Sequence, residues 1–192
     1  MIQKIILASQ SPRRKQLLEW AEIPFEVVVQ PTDESFPEDM PVKEVPVYIA
    51  QHKAEVVKQS LNNTHRQLPI LAADTIVVLN EKIIGKPKVR GEAISILTSL
   101  SGNKHKVITG VVILCDHKII SFQDTTEVIF HRLTTKEIEF YVDKYKPYDK
   151  AGAYAIQEWI GVVGIKSING DFYNVMGLPV SRVVRELNKL NG

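Results

Sequence analysis

The apolar run Ile5-Ile6-Leu7-Ala8 meets Ser9-Gln10-Ser11-Pro12-Arg13-Arg14 with no linker between them. Such a run reads as a strand, the polar residues as a tight turn, and Leu17, Leu18 and Ala21 as the apolar positions of a helix. Ser11 suits the N-cap. Pro12 suits the first helical position, where the missing N–H costs nothing. Arg13 and Arg14 then fall in the first turn, at the partly positive end of the helix dipole, where cations are disfavoured. Two positive charges there make sense if an anion is held. A helix N-terminus after a strand supplies backbone N–H groups for that anion, and arginine adds bidentate donors.

The remaining pattern alternates. Strands are expected at about 25–29, 68–73, 75–79, 105–115 and 119–130, and helices at about 12–21, 43–60, 90–100, 134–144 and 179–190. Asn80-Glu81-Lys82 reads as a turn into Ile83-Ile84, and Asp116-His117-Lys118 as a hairpin turn. Thr134 with Glu137 forms a capping-box pattern. Asn169-Gly170 reads as a hairpin turn between β runs at about 162–168 and 171–175. Alternating strands and helices with hairpins give an α/β fold with a mixed sheet. We read residues 1–192 as one domain. The loop-like stretch 30–46 carries four prolines and five acidic residues, and is either a solvated surface loop or a lid.

A net charge of +2 gives no argument for a nucleic-acid or membrane partner. No stretch has the length of a membrane span, and no signal-peptide pattern precedes the first strand. Cys115 is the single cysteine and reads as a buried small hydrophobe. With no intramolecular disulfide possible, the expected compartment is the reducing cytoplasm.

Several side chains carry chemistry. Asp74 ends an apolar strand and precedes another apolar run. A carboxylate there is costly unless paired, so it either caps a turn or serves as a base or metal ligand. Lys86, in Gly85-Lys86-Pro87, is an exposed turn lysine or a phosphate ligand; the glycine-rich approach of a Walker A loop is missing. Asp33-Glu34 is a solvated pair, or joins Asp74 in an oxygen-ligand site for magnesium or manganese. Lys53 lies at the edge of a helix's apolar stripe and reads as a surface lysine. His105 reads as structural, and the histidines at 52, 65, 117 and 131 show no metal-ligand spacing. Gln157 follows the small residues Ala151-Gly152-Ala153 and can both donate to and accept from a base edge, or lie on the surface.

Taken in order, these segments resemble the Maf family, once called septum formation inhibitors. The residues that carry the resemblance are Leu7 to Arg14, Ala73-Asp74-Thr75, Gly85-Lys86-Pro87, Leu100-Ser101-Gly102, Val107 to Val111, Asp149 to Tyr154, and Val175-Met176-Gly177-Leu178-Pro179. They span nearly the whole chain. The resemblance implies an elongated mixed sheet with flanking helices forming two lobes around a cleft, similar to inosine triphosphate pyrophosphatases. It implies a nucleoside triphosphate pyrophosphatase that uses a divalent metal, magnesium or manganese, and yields a nucleoside monophosphate and pyrophosphate. House-cleaning of nucleotide pools, a link to division arrest and a homodimer also come with the family.

By this resemblance Asp74 and Glu34 are catalytic and metal-holding, and Ser9, Ser11, Arg13, Arg14, Lys53 and Lys86 hold phosphate. Arg13, Thr75 and Gln157 match the branch acting on dTTP and UTP rather than the one acting on 7-methyl-GTP. The chain departs from common members with Ala155, where glycine is usual, and with Glu158-Trp159, where a small residue is usual. The other readings weighed are a nucleic-acid-binding protein, which the near-neutral charge opposes, and a nucleotide-binding regulator without catalysis.

Overall fold

The computed structural model describes residues 2–62, 67–115 and 118–190. The strands are β1 (Ile5–Leu7), β2 (Phe25–Val27), β3 (Ile70–Leu79), β4 (Lys82–Ile84), β5 (Lys104–Cys115), β6 (Lys118–Phe130) and β7 (Ile165–Asn169). The helices are α1 (Pro12–Trp20), α2 (Val45–Ser60), α3 (Arg90–Leu100), α4 (Thr135–Tyr145), α5 (Trp159–Gly164), α6 (Phe172–Met176) and α7 (Val180–Leu190). All seven strands form one mixed sheet in the order β2-β1-β3-β5-β6-β7, with β4 paired to β3. β1 runs parallel to β2 and β3, while β4 and β7 pair antiparallel to β3 and β6. The expected α/β class with a mixed sheet is what the chain forms.

Chain contacts group the residues into two compact units. The first holds residues 1–74, 109–124 and 177–192, and the second residues 75–108 and 125–176. In the first, Ile6 of β1 and Ala8 just after it, Ala50, Ala54 and Val57 of α2, Ile70 and Ala72 of β3, and Val112 and Leu114 of β5 pack as one buried cluster. Gly110 of β5 makes the seat for α2. A Cβ there would lie 2.2 Å from the Val47 backbone nitrogen, so only glycine lets the helix approach so closely.

In the second unit α4 starts on the expected capping box. The Glu137 N–H donates to Thr134 Oγ1 at 3.3 Å, and the Thr134 N–H to Glu137 Oε2 at 2.7 Å. β3 and β4 join through Asn80 and Glu81, both left-handed with φ of 50° and 60°, which matches a two-residue hairpin turn. His105, 1% exposed, stacks on Phe130 and bonds Tyr154 Oη through Nε2 at 2.8 Å. It is structural, as expected.

Four expectations change. β3 does not stop at Asp74 but runs on to Leu79; only Asp74 and Thr75, with the terminal Leu79, are less than fully buried along it. A strand can carry a polar residue wherever one face is open, and the sequence does not show which face that is. The run at about 162–168 is a strand only from Ile165; Val162 and Val163 belong to α5 and face outward. The expected strand at 171–175 is instead helical from Phe172, where Asp171 Oδ1 accepts the Tyr173 N–H at 2.7 Å and turns the chain into α6 rather than into a return strand. Cys115 is half-buried at the end of β5 rather than in the core. Asp116 and His117 of the expected hairpin turn, and His65, lie outside the described residues.

Burial pulls the His105 pKa down from 6.5 to about 4. Between those values the unfolded chain binds a proton that the folded chain does not, so stability falls as pH drops from about 6.5 towards 4. The full loss is about 3 kcal/mol. Urea unfolding of the wild type and of His105→Gln at pH 7 and pH 4.5 should show a smaller acid loss in the variant.

Candidate active site

The first unit gathers most of the charged candidates. β1 and β3 are parallel, with Leu7 opposite Leu71. Ser9 follows two residues after Leu7 and Asp74 three after Leu71, so both leave the same end of the pairing. That is the carboxyl end, where open α/β sheets place their ligands, and α1 begins there too. Ser11 takes the N-cap position, but its side chain makes no capping bond. Instead the Ser11 N–H donates to Ser9 Oγ at 3.2 Å.

Ser9 Oγ also accepts from Arg14 Nη1 at 3.1 Å. Its acceptor positions are thus filled by two N–H donors, and its own proton has no acceptor among the described residues. Arg14 is 8% exposed and donates from Nε to the Gly177 carbonyl at 2.8 Å. Burial lowers its pKa, the Asp74 carboxylate opposes that, and Arg13 adds to the lowering. The buried guanidinium is therefore fixed in place, while Arg13 beside it is half-buried.

Lys53 is no surface lysine. Its Nζ lies 2.8 Å from Asp74 Oδ1 and 2.6 Å from Glu34 Oε1, with the lysine side chain 16% exposed. α2 places it there because Ala50, Ala54 and Val57 bury the adjoining face. The expected Asp33-Glu34 pair splits. Asp33 closes its own turn, accepting the Ser35 N–H and hydroxyl at 2.9 and 2.6 Å, which holds it below the usual carboxylate range. Glu34 alone reaches Lys53.

The second unit carries Thr75, Lys86 and Gln157. Thr75 is half-buried on β3, next in the chain to Asp74. Lys86 is exposed between Gly85 and the buried Pro87. The Gly85 carbonyl accepts the Gly152 N–H at 3.2 Å, tying this turn to the Ala151–Ala153 3-10 turn. Gly152 has φ of 72°, and a Cβ there would meet Val77 at 2.9 Å. Residues 152–156 are buried and Gln157 is exposed, so a buried anchor presents a single polar side chain.

The chain matches the model of the Maf-like protein family over residues 4–190. It belongs to the Maf family. A Parabacteroides distasonis protein named dTTP/UTP pyrophosphatase is 49% identical over 96% of this chain and 94% of its own length. Relatives of the same name from Cytophaga hutchinsonii and Bacteroides thetaiotaomicron are 50% and 46% identical, each over 97% of this chain, covering 84% and 96% of their own lengths. Among solved structures, the Staphylococcus aureus Ham1 protein overlays 67% of this chain and 72% of its own with a TM-score of 0.45 and 16% identity. At that overlap the likeness adds nothing to the Maf assignment. Among the described residues no helix is long and apolar enough to cross a membrane.

Sequence reasoning missed two parts of the site. The Gly177 carbonyl reaches Arg14 across 163 positions, and backbone acceptors leave no side-chain signal. The Lys53 pairing had one faint signal, a lysine set beside an alanine stripe. Ser9→Ala removes an acceptor from the buried Arg14 guanidinium, and should lower folding stability by about 1–3 kcal/mol in urea unfolding.

Proposed function

We propose that this Maf protein is a dTTP/UTP pyrophosphatase, as its relatives are named. Water attacks the α-phosphorus, the bond to the bridging oxygen of the β-phosphate breaks, and the nucleoside monophosphate and pyrophosphate leave. The observation that carries this reading is the convergence of Glu34 and Asp74 on the Lys53 ammonium, in the same unit as the Ser9 hydroxyl and the Arg14 guanidinium.

Each residue then has a task. Asp74 takes the proton of the attacking water. Ser9 donates its free hydroxyl to a phosphate oxygen, Ser11 supports that turn, and Arg13, Arg14, Lys53 and Lys86 neutralise phosphate charge. Such chemistry needs mostly positioning and charge stabilisation. Glu34 and Asp74 would hold a divalent cation. Two carboxylates fit the usual magnesium mode, in which one or two protein carboxylates act together with substrate phosphates. Bound there, magnesium or manganese would neutralise phosphate charge and polarise the phosphoryl oxygens. Arg13, Thr75 and Gln157 select the pyrimidine, with Gln157 donating to and accepting from the base edge.

Among the described residues no group of three or more His, Cys, Asp or Glu side chains could hold a metal ion. With two carboxylates as its protein ligands, the free protein should bind magnesium weakly, and the metal should be held mainly together with nucleotide. Pyrophosphate release from a panel of nucleoside triphosphates tests the proposal. dTTP and UTP should turn over with magnesium or manganese and stop with chelator. Asp74→Asn should lower turnover by roughly 100-fold or more while circular dichroism stays unchanged. Full activity in that variant would remove Asp74 from the mechanism.

A further inference from the structure

Gln157 is exposed, yet the segment behind it is held by a polar cluster built on the buried Tyr141 and Lys150. Tyr141 of α4 is fully buried, and its hydroxyl accepts the Ala155 N–H at 3.1 Å while donating to Glu158 Oε2. Glu158 lies 3.6 Å from Lys150 Nζ, and that ammonium, on a side chain only 10% exposed, also meets Asp149 Oδ1 at 2.8 Å. The cluster therefore holds the chain on both sides of Gln157, through the Ala155 backbone two residues before it and the Glu158 side chain one after.

We propose that Tyr141 and Glu158 are positioning residues for base selection, setting where the Gln157 amide is presented. This rests on the reading of Gln157 as the base-reading side chain. Holding the Ala155 backbone and the Glu158 side chain removes freedom that an exposed glutamine would otherwise keep. A site that reads a base edge by hydrogen bonds discriminates only while those groups are held in place. Uracil and thymine present a carbonyl and an N–H where cytosine presents an amine and a bare ring nitrogen, so loosening the segment should cost choice between them. The phosphate contacts, made elsewhere, should not change.

The test uses the full chain, with steady-state kinetics on UTP and CTP and inhibition by inorganic tripolyphosphate. Tyr141→Phe should lower the UTP-over-CTP preference about tenfold, mainly through a raised KM for UTP, with tripolyphosphate inhibition unchanged. Glu158→Leu, which leaves the buried ring intact, should reproduce that loss. Glu158→Gln keeps an acceptor oxygen for Tyr141 and should retain the preference. A wild-type preference in both Tyr141→Phe and Glu158→Leu overturns the proposal. So does a weakening of tripolyphosphate inhibition equal to that of UTP binding. Gln157→Ala separates the two readings. If it keeps the preference, Gln157 does not read the base and the reading beneath the proposal fails; if it loses the preference while Tyr141→Phe and Glu158→Leu keep it, that reading stands and the proposal alone fails.

Discussion

One lysine ammonium between two carboxylates organises the first unit. Glu34 arrives from an exposed loop, Asp74 from the middle of a ten-residue strand, and Lys53 from a helix. Two carboxylates brought together repel, and a cation between them reverses the sign of that interaction. Because Asp74 and Lys53 are only 14% and 16% exposed, they are screened far less than a surface pair. The lysine can thus hold the acidic groups close before any other cation does so. The close seat of α2 on Gly110 belongs to the same device. Lys53 lies six residues beyond Val47, about 9 Å along the helix, so the glycine contact fixes its height.

Much of this was legible in the chain. The strand, turn and helix from Ile5 to Trp20 followed from an apolar run, a proline at the first helical position and Leu17-Leu18, all local signals. The capping box at Thr134 and Glu137 is equally local. The errors came where two local signals competed. Asn169-Gly170 is a good hairpin turn, but Asp171 is an equally good helix starter, and the helix formed. Val162 and Val163 are strand formers by propensity, yet the chain turns so tightly at Gly161 that a Cβ would fall 1.7 Å from the Ile156 carbonyl oxygen. Asp74 was readable as costly, but not as unfinished strand, because the partner that makes it tolerable sits 21 residues away. The Maf resemblance supplies the candidate residues as a set; the structure adds which of them touch.

The second unit uses another strategy. There the segments that carry the exposed Lys86 and Gln157 are tied by backbone and hydroxyl contacts as well as by the Lys150–Glu158 ion pair. Gly152 lies against Val77 and bonds Gly85, while Tyr141 and His105 hold the following residues from within. Ala153, with φ of 58°, takes a left-handed conformation that alanine seldom adopts. Such strain persists only where the surroundings over-determine it, and here they do.

The bond from Arg14 to the Gly177 carbonyl has a consequence for how the molecule is made. The guanidinium emerges from the ribosome early, but its acceptor is synthesised 163 residues later, roughly 10–30 s at ordinary elongation rates. Until then a charged side chain destined for burial has no backbone oxygen to receive it. A nascent chain therefore carries an incompletely bonded Arg14 through most of its synthesis, and completes this contact only shortly before its final helix is made.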